Sequence, residues 1–370
     1  MCLDQEAPSF KSVIRTSSTI LVRVDGAHHL GMGHVIRCIA LCSAMRQCGI
    51  GVTFVIRDYD DRISNLIRTH AFDVELVDSQ ISLKDDASRT AAIAEKLGVD
   101  CILTDLSHSD NHSRLSEYYS FYDILLESNR HVVVVDDIEK IDLPFDVQII
   151  PYYETEHLDY IRFDKTKYLL GCSYFIVSEK LARAANSTRV IRPIGTRVLV
   201  SIGGSDPTKM TPLVANAIAR LSRPEMEVKF ICWEGFSSDA AHQIEAAMQN
   251  YDGVYELCSS QDISEFMLWC DILVSAGGLT KYEAALTGTP DIIISGSDLE
   301  MKRADRFAQS GCAFHIGHQA NVHADELSEI IELLSANHDT RLSMSNRGKA
   351  MIDGKGTERI INQLPVSLPQ

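Results

Sequence analysis

The sequence predicts an α/β protein with two domains, each built around a parallel β-sheet. Apolar, β-branched runs alternate with segments of helical periodicity through both halves of the chain. Three of these runs end in glycine-containing turns that lead directly into a helix. The 370 residues are enough for two cores of ordinary size. We therefore expect domains at residues 1–190 and 191–370, divided near 180–195, with a cleft between them.

The segment from Ile20 to Met45, around which the first domain is organised, has the pattern of a strand, a glycine turn and a helix. An apolar run that ends at Asp25 is followed by Gly31 and Gly33, where a long helical segment begins. In an open α/β sheet such a turn lies at the carboxyl end of a strand, where ligands bind, and the helix N-terminus favours anions. We predict that the two glycines let the backbone approach a ligand.

His34 lies on the first turn of this helix and is the candidate general base. The positive end of the helix dipole disfavours imidazolium, so a neutral imidazole can accept a proton there, although a histidine in this position can also be a simple polar cap. Arg37 shares the face of His34 and could bind a phosphate or pair with Asp25. His28 and His29 lie nearby, but adjacent histidines point apart and no carboxylate has ligand spacing on the helix, so we expect no metal.

Further strands continue the first half of the chain. They are predicted at residues 52–56, 74–77, 101–105, 131–135 and 147–150. Asp25, Asp105 and Asp136 follow or end strands and should lie along one edge of the sheet. One or two of them could contact substrate hydroxyls; alternatively, they are solvated or cap helices. From residue 152 to 193 the periodicity fades, which predicts a connecting segment between the domains.

A second glycine turn opens the second half of the chain. Gly203, Gly204 and Ser205 follow an apolar strand and should bring backbone amides close to an anion. Asp206 is a good helix cap, and Pro207 suits the first position of a helix.

A third turn follows the strand at residues 272–274. Ser275, Gly277, Gly278 and Leu279 lead into a helix, and Glu283 lies about one turn further, where its carboxylate could bind the two hydroxyls of a ribose. Three such turns in one chain suggest a nucleoside diphosphate held between two domains.

Composition limits the possible partners. The 35 basic and 51 acidic residues give a net charge of −16, which argues against nucleic acid or an anionic membrane surface as a partner. The ten cysteines form no C-x-x-C pair, as expected for reduced thiols in a cytoplasmic protein. No apolar run is long enough to cross a membrane and no signal peptide is recognised, so we expect a cytosolic protein.

Four motifs together resemble a known family. They are Gly31-Met32-Gly33-His34-Val35-Ile36-Arg37-Cys38, Gly203-Gly204-Ser205-Asp206-Pro207, the turn from Ser275 to Glu283, and Asp353-Gly354-Lys355-Gly356. This combination is similar to the UDP-sugar hydrolase of pseudaminic acid biosynthesis and its relatives in spore-coat polysaccharide synthesis, over residues 20–362. The resemblance implies the GT-B architecture, in which two Rossmann-like domains face each other across a cleft. It also implies a second domain similar to that of the glycosyltransferase that makes lipid II.

The resemblance also implies a reaction and a set of site residues. The histidine matching His34 activates water, which attacks the anomeric carbon of a nucleotide sugar and releases UDP with inversion, without a metal or other cofactor. The turns matching Gly203 to Ser205 and Ser275 to Leu279 hold the diphosphate. The carboxylate matching Glu283 holds the ribose.

This sequence departs from the family pattern at three places near the expected ligand. Ser107 replaces a tyrosine, Leu299 and Glu300 replace an Asn-Gln pair, and Cys172-Ser173-Tyr174 replaces Pro-Glu-Tyr. The sugar, and with it the reaction, can therefore differ from the family standard.

Two other activities remain open from the sequence. An inverting glycosyltransferase would use the same base on an acceptor hydroxyl. The membrane-bound acceptor of the lipid II enzyme goes with an exposed apolar and basic patch, and this acidic chain shows none, which favours a hydrolase or a soluble acceptor. A non-catalytic nucleotide-sugar-binding protein would keep the glycine turns but would not need His34.

Overall fold

The structure of the protein is a computed structural model, and it contains two wholly parallel β-sheets within its described residues. The prediction of an α/β protein with two parallel-sheet domains is confirmed. The described residues are 18–27, 32–59, 61–106, 115–135, 141, 143–155, 163–203, 206, 209–232, 238–260 and 262–367.

The first sheet has the strand order β3-β2-β1-β4-β5-β6-β7. Its strands are β1 Thr19–Val24, β2 Gly51–Asp58, β3 Asp73–Asp78, β4 Cys101–Asp105, β5 His131–Val135, β6 Val147–Ile150 and β7 Lys167–Leu170. The helices in this part of the chain are α1 Gly33–Gln47, α2 Asp61–Thr69, α3 Leu83–Leu97, α4 Leu115–Leu126 and α5 Glu179–Ala185. The strand order reverses between β1 and β4, and a ligand crevice is expected at the carboxyl ends of such a strand pair.

Burial on both faces of this sheet explains why its central strands read as continuous apolar runs. Ile20, Val22 and Val24 of β1 pack in one core cluster, while Leu21 packs in another on the opposite face. Helix α3 has clear end signals, since the Ser82 hydroxyl accepts a hydrogen bond from the amide of Asp85 and Gly98 ends it in the left-handed conformation, φ +64°.

The segment predicted as a connection contains part of the first sheet. Strand β7 pairs in parallel with β6, a single 3-10 turn spans Cys172–Tyr174, and α5 follows. Residues 167–185 of the segment predicted as a connection between the domains therefore contain regular structure, and strand β7 belongs to the first sheet. Four-residue β7 is too short for an alternating pattern to be recognised, and its pairing depends on the position of β6.

The second sheet has the order β10-β9-β8-β11-β12-β13. Its strands are β8 Arg197–Ser201, β9 Glu227–Ile231, β10 Val254–Cys258, β11 Ile272–Ala276, β12 Asp291–Ser295 and β13 Ala313–His318. The helices here are α6 Met210–Ile218, α7 Ser238–Met248, α8 Ser264–Trp269, α9 Thr280–Thr287, α10 Asp298–Ala308, α11 Ala324–Ala336, α12 His338–Met351 and α13 Gly356–Ile361. None of the helices within the described residues has the length and apolarity needed to cross a bilayer.

Helix α6 begins later than predicted. Asp206 adopts φ +41°, and its carboxylate accepts hydrogen bonds from the amides of Met210 at 2.9 Å and Thr211 at 2.7 Å. The predicted capping role of Asp206 therefore holds, but the helix starts at Met210. Pro207, predicted at the first helical position, lies outside the described residues.

The C-terminal helix α13 returns to the first domain. Ile360, Ile361 and Leu364 are buried in the same core cluster as strand β1. The Thr357 hydroxyl donates to the Val177 carbonyl at 2.9 Å and accepts from the Val177 amide at 3.0 Å. A Cβ on Gly356 would clash with the Phe175 carbonyl oxygen, so the glycine at the start of this helix is required by the contact between the end of the chain and the first domain.

Candidate active site

The first part of the site lies where β1 and β4 end side by side. Val24 is opposite Asp105 in the parallel ladder, and the amide of Asp25 donates to the Asp105 carbonyl at 3.4 Å. Helix α1 begins at Gly33, so His34 and Arg37 project from its first turns toward the end of β4. The predicted site residues His34 and Arg37 of α1 and Asp105 of β4 are thereby brought together.

Asp105 binds two polar side chains from the first turns of α1. Its Oδ1 lies 2.6 Å from His34 Nδ1, and it accepts from Arg37 Nε at 2.5 Å and Arg37 Nη2 at 2.6 Å. The carboxylate is fully buried. Burial alone would raise its pKa, but the Arg37 charge, the electrostatic effect of His34 and the hydrogen bonds of both side chains hold the pKa of Asp105 well below its ordinary value. Asp105 is therefore an ionised acceptor.

The tautomer of His34 follows from these distances. Arg37 Nη2 lies 3.1 Å from His34 Nδ1, whereas the ionised Asp105 oxygen is closer, at 2.6 Å, and cannot donate. We therefore place the ring hydrogen on Nδ1, which leaves the lone pair of the neutral imidazole on Nε2. A carboxylate that holds one ring nitrogen in this way orients the other for proton transfer.

The predicted pairing of Arg37 with Asp25 does not occur. Arg37 instead binds Asp105, and Asp25 accepts a hydrogen bond from Arg23 Nη1 at 2.6 Å. Arg37 also donates to the Tyr152 hydroxyl. The strand order decides this choice, because it places the end of β4 directly under α1.

Asp25 belongs to a buried ion cluster that sequence reasoning missed. Arg23, fully buried, donates to Asp86 from Nε at 3.0 Å and Nη2 at 2.6 Å, and Arg57 Nε donates to the same carboxylate at 2.9 Å. Burial would lower the pKa of Arg23, but the charges of Asp25 and Asp86 and their hydrogen bonds outweigh this effect and raise the pKa above its ordinary value. The sequence signal was an arginine inside an otherwise apolar strand, which requires buried acidic partners.

The second part of the site is the loop between β11 and α9, residues 277–279. A Cβ on Gly33 would lie 3.4 Å from Leu279 Cδ1, so this loop of the second domain faces the first turn of α1. A Cβ on Gly278 would meet nothing within 4 Å among the residues that the structure describes, so none of these residues fills the space beside Gly278. Gly277 is different, since a Cβ there would lie 3.0 Å from Glu300 Cβ. Gly277 is required by packing, whereas Gly278 leaves room for a ligand.

Ser275 and Asp291 support this loop from inside the protein. The Ser275 hydroxyl donates to Asp291 Oδ2 at 2.8 Å, and both residues are buried. Burial raises the pKa of Asp291 to about 7, despite the opposing effects of Ser275 and the Lys281 charge. The side chain of Ser275 is therefore turned into the protein, where it holds the loop.

Glu283 lies on the first turn of α9 and is half-buried. Burial, with a smaller effect from the nearby Asp262 charge, raises the pKa of Glu283 to about 7. Gly203, which follows β8, adopts φ +74°, and a Cβ there would have no described neighbour within 4 Å. The remaining predicted glycine-turn residues, Gly31, Gly204 and Ser205, lie outside the described residues, as do Asp136 and Ser107.

The departures from the family pattern occupy defined places. Glu300 Oε2 accepts a hydrogen bond from the amide of Gly296 at 2.9 Å, and Leu299 is 39% exposed. Cys172 is buried in a cluster that includes Tyr282 of α9. Of these residues, Glu300 is the one that packs directly against the loop at Gly277.

Tyr152 is a second residue that sequence reasoning missed. Besides its contact with Arg37, its ring lies 5.8 Å from the ring of Tyr282, and the Tyr282 hydroxyl accepts from the amide of Tyr153 at 3.3 Å. Through Tyr152, the ion pair of Arg37 and Asp105 is thus connected to helix α9 of the second domain. Tyr152 lies in a segment without periodicity, so the sequence held no signal for it.

Comparisons with known proteins agree with this architecture. No family model matches the chain. The spore coat polysaccharide biosynthesis protein SpsG of Bacillus subtilis is 21% identical over 339 residues, which cover 91% of this chain and 94% of SpsG. The crystal structure of MurG from Acinetobacter baumannii is also similar. The match covers 93% of this chain and 98% of the MurG chain, with a TM-score of 0.66 and 14% identity.

A UDP-GlcNAc 2-epimerase from Neisseria meningitidis, solved with bound UDP-GlcNAc, is similar in structure too. The match covers 93% of this chain and 99% of the epimerase chain, with a TM-score of 0.60 and 12% identity. The two parallel sheets and these structural similarities over nearly the whole length show that the chain adopts the GT-B fold.

Proposed function

We propose that the protein hydrolyses a nucleoside-diphosphate sugar, a UDP-linked amino or deoxy sugar, and releases UDP and the free sugar. The observation that carries this proposal is the pair of His34 Nδ1 and Asp105 at 2.6 Å, on a helix turn that faces the glycine loop of the second domain. One domain thus offers an oriented base and the other an open backbone surface for a diphosphate.

In the proposed reaction, His34 Nε2 accepts a proton from water while the water oxygen attacks the anomeric carbon. The bond from this carbon to the diphosphate oxygen breaks, and its electron pair leaves with UDP. Attack opposite the leaving group inverts the anomeric configuration. Asp105 stabilises the imidazolium that forms, and the proton then passes to solvent. The diphosphate is a good leaving group, so no acid is required on that side.

The remaining site residues are proposed to bind the substrate. The loops at Gly203-Gly204-Ser205 and Gly277-Gly278-Leu279 would hold the diphosphate, and Glu283 the ribose. Gly31, Gly33 and Asp25 would line the sugar side. Arg37 serves the site by holding Asp105, since its guanidinium binds both oxygens of that carboxylate.

The names of the similar proteins support the substrate class. SpsG is described as a polysaccharide biosynthesis protein, and the epimerase structure contains UDP-GlcNAc. We therefore place the activity in cytoplasmic synthesis of a surface polysaccharide or of a nonulosonic acid such as pseudaminic acid, independent of a metal.

A glycosyltransferase that inverts the sugar and uses a soluble acceptor is the second candidate. The same His34–Asp105 pair would deprotonate an acceptor hydroxyl instead of water. The fold shared with MurG over nearly its whole length favours keeping this candidate.

Incubation with a panel of nucleotide sugars, without acceptor and in water labelled with heavy oxygen, separates these activities. Release of UDP with the label in the sugar is the result expected for the hydrolase. Label in UDP would mean attack on phosphorus and would contradict the mechanism. UDP release only after addition of an acceptor would identify the transferase, and an isomerised nucleotide sugar without UDP would identify an epimerase. The His34→Gln variant controls for contaminating activity.

A further inference from the structure

Lys281 lies beneath the loop at residues 277–279, with its ammonium group inside the protein. The side chain belongs to α9, and the residue is only 3% exposed. Its Nζ donates to the Gly277 carbonyl and, at 2.9 Å, to the Gly278 carbonyl. The carbonyls of two consecutive peptide groups are therefore turned toward one buried positive charge.

These two bonds determine where the loop amides point. In a planar trans peptide the N–H and C=O bonds point in opposite directions. The Gly277 carbonyl shares its peptide group with the amide of Gly278, and the Gly278 carbonyl shares its group with the amide of Leu279. Both N–H groups consequently point away from Lys281. Among the described residues, neither amide donates to an acceptor.

The opposite side of the loop is open. Gly278 is exposed, and a Cβ added there would meet no atom of the described residues within 4 Å. Helix α9 begins directly after the loop and has no side-chain cap at Leu279. Two amide donors without a described acceptor, the positive end of a helix and an exposed surface together suit a phosphate group.

We propose that Lys281 is a positioning residue, which orients the amides of Gly278 and Leu279 so that both donate to a phosphate of the bound nucleoside diphosphate. This inference rests on the proposed function and adds to it a residue that acts through the backbone. Without the ammonium, the buried Gly277 carbonyl would lack a donor, the partly buried Gly278 carbonyl would lose its bond to Lys281, and the two peptide groups would be free to rotate. The two donors would then no longer be fixed in advance of binding.

Lys281→Met, which removes the charge but keeps the length of the side chain, tests this inference. We expect the affinity for UDP to fall roughly 10- to 100-fold, because charge-assisted bonds to a phosphate are weakened. The affinity for uridine, which has no phosphate, should stay within about twofold. Both are measured by calorimetry or NMR titration. Lys96→Met, an equal change of charge at an exposed position on α3, should leave both affinities unchanged.

Several results would overturn the inference. An unchanged affinity for UDP in Lys281→Met would do so, and an equal loss for UDP and uridine would show that Lys281 only maintains the fold. In the unaltered protein, the amide resonances of Gly278 and Leu279 should shift with UDP but not with uridine. Absence of that shift refutes the inference even if the variant does not fold. If the unaltered protein binds no nucleoside diphosphate at all, the proposed function fails and this inference with it.

Discussion

Asp105→Asn tests the orientation of His34 by removing one charge without changing the size of the side chain. Oδ1 of Asp105 faces His34 Nδ1 and Arg37 Nη2, and Oδ2 faces Arg37 Nε and the Cys38 thiol, 3.3 Å away. An asparagine has one oxygen and one NH₂ group. Whichever way it is turned, the NH₂ group faces an N–H of Arg37, and a hydrogen bond is replaced by a contact between two donors.

The size of the effect follows from the burial of this pair. Removing one partner of a buried ion pair leaves the Arg37 charge uncompensated and costs about 3–5 kcal/mol of stability. The neutral amide oxygen is also a weaker acceptor for Nδ1–H than the carboxylate, and an NH₂ group turned toward His34 would not accept at all. The tautomer and ring orientation of His34 are then no longer fixed, so we expect kcat to fall by about 10²–10⁴.

The effect on stability should not depend on pH near neutrality. The pKa of Asp105 is lowered in the folded protein, so its contribution is fully present above the ordinary carboxyl value near 4 and is lost only under strongly acidic conditions. Urea unfolding at two pH values between about 6 and 8 measures the cost, which should be the same at both.

Turnover is measured where both proteins are folded, with Asp353→Asn as the control. Asp353 pairs with Arg359 on the surface, so the same substitution there should cost no more than about 1 kcal/mol and leave kcat unchanged. A folded Asp105→Asn protein that retains kcat within about tenfold of the unaltered value would refute the proposed role of Asp105.

Three further predictions concern the two halves of the site. His34→Gln should lower kcat by about 10²–10⁴ with little change in UDP affinity, and a chelator should leave turnover unaltered; substantial activity of the variant, or inhibition by the chelator, would assign the chemistry to another group. Gly278→Val should weaken UDP binding in calorimetry yet leave the free energy of unfolding nearly unchanged, because a Cβ there would meet no described residue within 4 Å. Gly277→Val should instead destabilise the fold, because a Cβ there would lie 3.0 Å from Glu300 Cβ; equal destabilisation of both would disprove the distinction. Since the pKa values of Glu283 and Asp291 are raised to about 7, the folded protein holds protons that the unfolded chain releases, so the free energy of unfolding of the unliganded protein should fall as pH rises toward 7 and level off above it. Asp291→Asn should reduce that slope, and an identical slope in the variant would contradict the raised pKa.

The sequence alone determined the fold class and the positions of most elements. Strands 101–105 and 131–135 have the bounds that their apolar runs predict, and glycine turns mark where the candidate loops lie. These features are local, because a run of apolar residues reports burial and a glycine before a helix reports a turn. The same local patterns identified His34 and Glu283 as candidates, since each lies on the first turn of a helix after a strand.

The tertiary structure decided which of these residues act together. Asp105 is 71 residues from His34 and becomes its partner because β4 lies beside β1 in the sheet. For the same reason Arg37 binds Asp105, while Asp25 binds Arg23. Lys281 is adjacent to the glycine loop in sequence, but its burial beneath the loop depends on the packing of α9 against the second sheet. A pattern along the chain shows which face of an element is buried. Which side chains contact that face depends on the order of the strands and the packing of the helices.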